Sequence, residues 1–115
     1  MSKMLVMLTT GKDDVNSEMV AFSFAFNAVK NAKAEVELLF LGRGVQAANK
    51  NQKNSPQFLE QVNMLKAEGI PLRICKVSMA GEGLKEDDIF PDIDMVFGGV
   101  ETDRKIDEGY TVITF

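Results

Sequence analysis

The stretch Lys3–Thr9 is apolar and continuous rather than alternating. A strand of this kind buries both faces, as strands of a parallel sheet do. Parallel strands need a crossover between them, usually a helix. The rest of the chain follows that requirement. Thr9-Thr10-Gly11-Lys12-Asp13-Asp14 breaks the strand. Gly11 permits a tight turn there, and Asp13 or Asp14 caps the helix that follows. That helix covers Val15–Ala32, with Val15, Met19, Phe22, Phe26 and Val29 on one narrow face. Phe22, Phe24 and Phe26 also alternate as a strand would, but the length, the Ala content and the cap favour a helix.

Glu35–Leu41 reads as the second strand, stopped by Gly42. Residues 43–57 hold Arg43, Lys50 and Lys53, many Asn and Gln, and no acid. Apart from a short helical turn near Val45, this segment reads as a mobile connection, and long loops of that kind often serve as lids. A second long helix spans Ser55–Glu68, with Ser55 as its cap and Pro56 at its first position; Phe58, Val62 and Leu65 point inward. Gly69 ends it and Pro71 prevents its return. Leu72–Cys75 is a third strand, Ser78–Leu84 a short helix, Ile93–Phe97 a fourth strand, Val100–Glu108 a helix and Tyr110–Phe115 a last strand. The alternation gives one domain over residues 1–115. Its expected form is a three-layer α/β/α fold around a five-stranded parallel sheet, in the flavodoxin-like order 2-1-3-4-5.

Composition excludes several kinds of function. A net charge of -4 argues against general nucleic-acid binding, which rests on Lys and Arg neutralising phosphates. No apolar run reaches bilayer length, so no membrane span is expected. The chain has no His, which removes Ser-His-Asp and Cys-His catalysis and His-ligated metal sites. Its single Cys cannot form an internal disulfide or build a structural zinc site alone. No metal or cofactor is therefore expected, and a reducing, cytoplasmic setting is the simple reading.

That cysteine, Cys75, lies where the third strand passes into a helix. Ligands bind at the carboxyl ends of strands in open α/β sheets. The backbone N–H groups that start the helix, near Val77, would favour a thiolate, and Ser78 in Cys75-Lys76-Val77-Ser78 adds a donor. The acids between Glu82 and Asp94 would act the other way. The sulfur is expected to face a wet pocket. Against this stands the common role of free Cys as inert packing. Gly11 and Lys12, before the first long helix, form a second candidate for holding an anion, although the spacing is not that of a P-loop. Val20 and Phe24 fall opposite the main apolar stripe of the first helix, which points to a subunit interface or to ordinary exposure.

The order of these segments resembles the DsrE/DsrF-like family of small sulfur-relay proteins. The resemblance is carried by the first strand with Thr9-Thr10-Gly11-Lys12-Asp13-Asp14, the Ala- and Phe-rich helix, Glu35-Val36-Glu37-Leu38-Leu39-Phe40-Leu41-Gly42-Arg43-Gly44-Val45, and Ile74-Cys75-Lys76-Val77-Ser78-Met79-Ala80-Gly81-Glu82-Gly83-Leu84 with the acids after it. The resemblance implies homo-oligomers, often trimers or hexamers, and a persulfide on Cys75 exchanged with a sulfur donor or acceptor protein. Ser78 stands where some relatives carry a second Cys, so an internal C-x-x-C cycle is ruled out while single-thiol carriage is not. The competing reading is a non-catalytic module that binds a small ligand or a partner, with Cys75 merely packed. A nucleotide-binding signalling domain ranks behind both.

Overall fold

A computed structural model describes all residues, Met1–Phe115. Five parallel strands, β1 (Lys3–Leu8), β2 (Glu35–Phe40), β3 (Leu72–Cys75), β4 (Asp94–Val96) and β5 (Thr111–Thr114), form one sheet. The helices are α1 (Val15–Ala32), α2 (Ser55–Ala67), α3 (Lys76–Gly81) and α4 (Gly98–Asp107). The three-layer α/β architecture is as the alternation requires. The sheet runs β4-β3-β2-β1-β5, so β1 lies between β2 and β5, where the order 2-1-3-4-5 would place β2 and β3 beside it. Burial explains the arrangement. All but the first residue of β2 is buried, which suits an interior strand, whereas β4 has three residues and suits an edge.

This order fixes which face each helix covers. From β1 to β4 the chain steps across the sheet in one direction, and right-handed crossovers then put α1, α2 and α3 on the same face. Val6, Leu8, Leu38, Phe40, Leu72 and Ile74 point to that face and pack with Phe22, Phe58, Val62, Leu65 and Met79 in a single core. The Phe22 ring lies 6.0 Å from the rings of both Phe40 and Phe58. The step from β4 to β5 reverses direction and passes β3, β2 and β1, so α4 covers the opposite face. Period-2 alternation sends Glu37 of β2 and Arg73 and Cys75 of β3 toward α4.

Residues 43–57 begin with a packed segment rather than a loose connection. A 3-10 segment, Gly42–Ala48, is packed down, with Val45, Ala47 and Ala48 wholly buried. Gly44 sits against the end of β1 so closely that a Cβ there would meet the Leu8 carbonyl oxygen at 2.0 Å. Beyond it, the Lys50 N–H donates to the Asp88 carbonyl and the Phe90 N–H to the Ala48 carbonyl, at 2.8 and 3.0 Å. Small apolar residues that look uninformative in sequence thus anchor this segment. The start of α2 also differs in detail, since Asn54 is its capping residue and Ser55 is already helical.

Asp14 caps α1, accepting from the Ser17 N–H at 3.1 Å. One turn on, Glu18 is fully buried and neither carboxylate oxygen has a hydrogen-bond partner. Val20 is 54 % exposed, whereas the Phe24 ring packs on the Phe115 ring at 5.2 Å. The second side of α1 therefore has a partial partner within the chain. No helix is long and apolar enough to cross a membrane.

Burial, with the charges of Asp13 and Asp14, pushes Glu18 from its ordinary 4.5 up to about 8. The folded chain keeps a proton that the unfolded chain releases. This group therefore lowers stability as pH rises from 4.5 to about 8, with no further loss above. Glu18→Gln should remove that slope. At pH 8 it should stabilise the protein by about 4 kcal/mol, with little difference at pH 4. Urea denaturation of both proteins across this range checks it, and identical pH dependence would contradict it.

Candidate functional site

Cys75 ends β3 and is the residue from which α3 starts. The neighbouring strand, β4, ends one residue before Phe97, and α4 starts at Gly98. These adjacent strands send their helices to opposite faces. The crevice between them is a topological switch point, the usual ligand-binding place in an open α/β sheet. Cys75 lies in that crevice, beneath the start of α4. A Cβ on Gly98 would meet the Cys75 Sγ at 3.1 Å and the Leu41 Cδ1 at 2.6 Å. Only glycine lets the α4 backbone come this close to the sulfur.

The sulfur does not face a wet pocket, as the sequence suggested. Cys75 is 4 % exposed and lines none of the surface cavities. Its surroundings are nonetheless polar where it matters. Burial pushes its thiol up, but the Ser78 hydroxyl and the Ser78, Gly98 and Val77 N–H groups act on the sulfur and bring it below the ordinary value. The Ser78 Oγ accepts from the Gly42 N–H at 2.8 Å. That bond uses an oxygen lone pair and leaves the hydroxyl proton for the sulfur. On the outer side, the Lys76 ammonium lies 5.1 Å from the Phe97 ring centroid and bridges the mouth of the crevice. Val77 and Phe97 are exposed there.

Of the residues singled out in the sequence, Cys75, Val77 and Ser78 come together. Gly11 and Lys12 do not join them. With Asp13, Arg43, Gln46 and Glu82 they line a separate cavity of about 160 Å³ that has no apolar lining residue. Arg43 there pairs with Asp13 at 3.6 Å. No group of three His, Cys, Asp or Glu side chains is placed to hold a metal ion.

Two features escaped the sequence analysis. One is Gly98, which nothing local in the sequence marks as a neighbour of Cys75. The other is a charged cluster under α4. Glu37 accepts from Lys105 at 2.8 Å and from the Tyr110 hydroxyl at 3.0 Å, and it pairs with Arg73. Arg73 also lies 3.4 Å from Glu101, which pairs with Arg104 at 2.7 Å. Burial alone would raise Glu37; donation from Lys105, Arg73 and Tyr110 instead holds it below the ordinary carboxylate value. Burial and the Glu37 carboxylate push Tyr110 up to about 12. The signal available in sequence was Glu37 interrupting an apolar strand.

Fold and site together define a small open α/β protein with one acidified thiol at the switch point of its sheet. The DsrE/DsrF-like family model matches residues 2–115, and the chain belongs to that family. No protein of curated function matches it significantly. Three solved structures share the fold. The ychN protein of E. coli is 19 % identical with a TM-score of 0.77, each chain covered in full. A protein of unknown function from Methanobacterium thermoautotrophicum is 19 % identical, with a TM-score of 0.78 over 99 % of this chain and 100 % of that one. A conserved protein of unknown function from Bacteroides thetaiotaomicron is 18 % identical, with a TM-score of 0.73 over 98 % and 95 %.

Ser78→Ala deletes one donor to the sulfur. The Cys75 thiol should become less acidic, and its alkylation at neutral pH should slow roughly tenfold. Stopped-flow labelling across pH measures this. A profile equal to wild type would show that the hydroxyl does not act on the sulfur.

Proposed function

We propose that this protein carries sulfur as a persulfide on Cys75. The observation that best supports the reading is the place of the one thiol of a DsrE/DsrF-like chain, at the end of β3 and against the Gly98 backbone. The thiolate attacks the outer sulfur of a donor persulfide. A new S–S bond forms at Cys75, the donor's S–S bond breaks, and the donor leaves as a thiolate that takes up a proton. Attack of an acceptor thiolate on the outer sulfur then returns Cys75 to its anion. Neither step needs an external oxidant or reductant, because one disulfide-type bond replaces another. Donors that stabilise the thiolate assist both the first attack and the final departure. Ser78 cannot serve as a resolving thiol, so a loaded Cys75 holds its cargo until a partner thiol arrives.

The rim of the crevice offers an apolar surface to a partner. Cys75 opens onto no cavity, and its mouth is bordered by exposed Val77 and Phe97. Incubation with a low-molecular-weight persulfide, followed by intact-mass measurement, tests the proposal. Wild type should gain the mass of one sulfur atom, and Cys75→Ala should gain none. An unmodified wild-type protein under conditions that load a small-molecule thiol would overturn it.

A further inference from the structure

We propose that Glu101 is a positioning residue for Cys75: by its ion pair with Arg73 it seats α4 so that the Gly98 N–H reaches the sulfur. The inference concerns the acidity of the thiol, and its test does not depend on whether Cys75 carries sulfur.

Helices on sheets normally dock through an apolar stripe. Helix α4 does not. Its buried residues are Gly98, Glu101 and Lys105, spaced i, i+3 and i+7 on one face. Its large apolar residues point outward, Val100 at 70 % exposure and Ile106 at 54 %. What holds α4 against the sheet is therefore charged. Lys105 reaches Glu37 on β2 at 2.8 Å, and Glu101 reaches Arg73 on β3 at 3.4 Å. Arg73 is two residues before Cys75, so both side chains leave β3 on the α4 side. Glu101 is one turn after Gly98. It is thus the docking contact nearest the thiol, and Lys105 is the more distant one.

Ion pairs under a helix contribute direction more than stability, since the desolvation of the charges cancels much of their attraction. An apolar stripe would allow α4 to slide and tilt. Glu101 also accepts from Arg104 of its own helix at 2.7 Å, but its contact with Arg73 is the one that ties the height of α4 to β3. That height decides whether the Gly98 backbone, which lacks a Cβ to fend off Cys75 and Leu41, stays close enough for its N–H to act on the sulfur.

The sign of the effect separates positioning from plain electrostatics. Loss of a carboxylate near a thiol should lower the thiol's pKa, because a like charge has gone. Loss of the seat should raise it, because a donor to the thiolate has moved away. The experiment is the pH dependence of Cys75 alkylation in Glu101→Gln and Glu101→Asp, with circular dichroism to confirm the fold. Glu101→Asp keeps the charge and shortens the reach, so it decides the question even if Glu101→Gln does not fold. Asp103→Asn, an equal charge change on the exposed side of α4, is the control. We expect both Glu101 variants to alkylate about fivefold or more slowly at neutral pH, with the profile moved to higher pH and the control unchanged. A folded Glu101 variant with an unchanged or more acidic thiol would overturn the proposal.

Discussion

The reversal of chain direction after β4 is the constraint on which this structure depends. Up to β4 every crossover lies on one face, and the apolar core gathers there around Phe22, Phe40 and Phe58. The crossover after β4 must use the other face to bring β5 beside β1. At that point two helix starts diverge, and their unpaired N–H groups are left facing the gap between two strand ends. A thiol placed there meets donors from both sides. Val77 and Ser78 come from α3 and Gly98 from α4, and together they outweigh the cost of burying a thiolate.

The two faces of the sheet are built on different physics. The α1–α2 face is an ordinary close-packed core. The α4 face has Leu5 and Leu39 buried, but the helix above them is attached through Glu37, Arg73, Glu101, Lys105 and Tyr110. The apolar face supplies the bulk of the hydrophobic stabilisation, and the charged face supplies a defined height for α4. Cys75 belongs to the second face. This division explains how a buried cysteine can be acidic: its neighbours are a backbone donor on a helix set in place by charges, and a serine whose hydroxyl is oriented by Gly42.

Much of this was legible in the sequence. Unbroken apolar runs, helical spacing of Phe22 and Val29, and a cap at Asp13 or Asp14 defined β1 and α1 with bounds that the structure reproduces for the helix, Asp14 being the cap. What escaped was non-local. Strand order depends on which edges are buried, and the nearly complete burial of β2 appears only once helices cover both its faces. The segment after Gly42 looked loose because Gly, Ala, Asn and Gln carry little pattern, yet small residues are what close packing against the Leu8 carbonyl demands. Glu18 fitted the helix well as a first-turn acid, and no local rule reveals that the fold buries it without a partner. Gly98 became informative only when β4 lay beside β3.

The central claim is that the fold acidifies a nearly inaccessible thiol. Direct titration of the wild-type protein, following the ultraviolet absorbance of the Cys75 thiolate against pH, measures this most simply, since no other cysteine contributes. A midpoint below that of an ordinary cysteine, absent in Cys75→Ser, is the predicted result. A midpoint above the ordinary value would mean that burial prevails over the four donors, and would contradict the account.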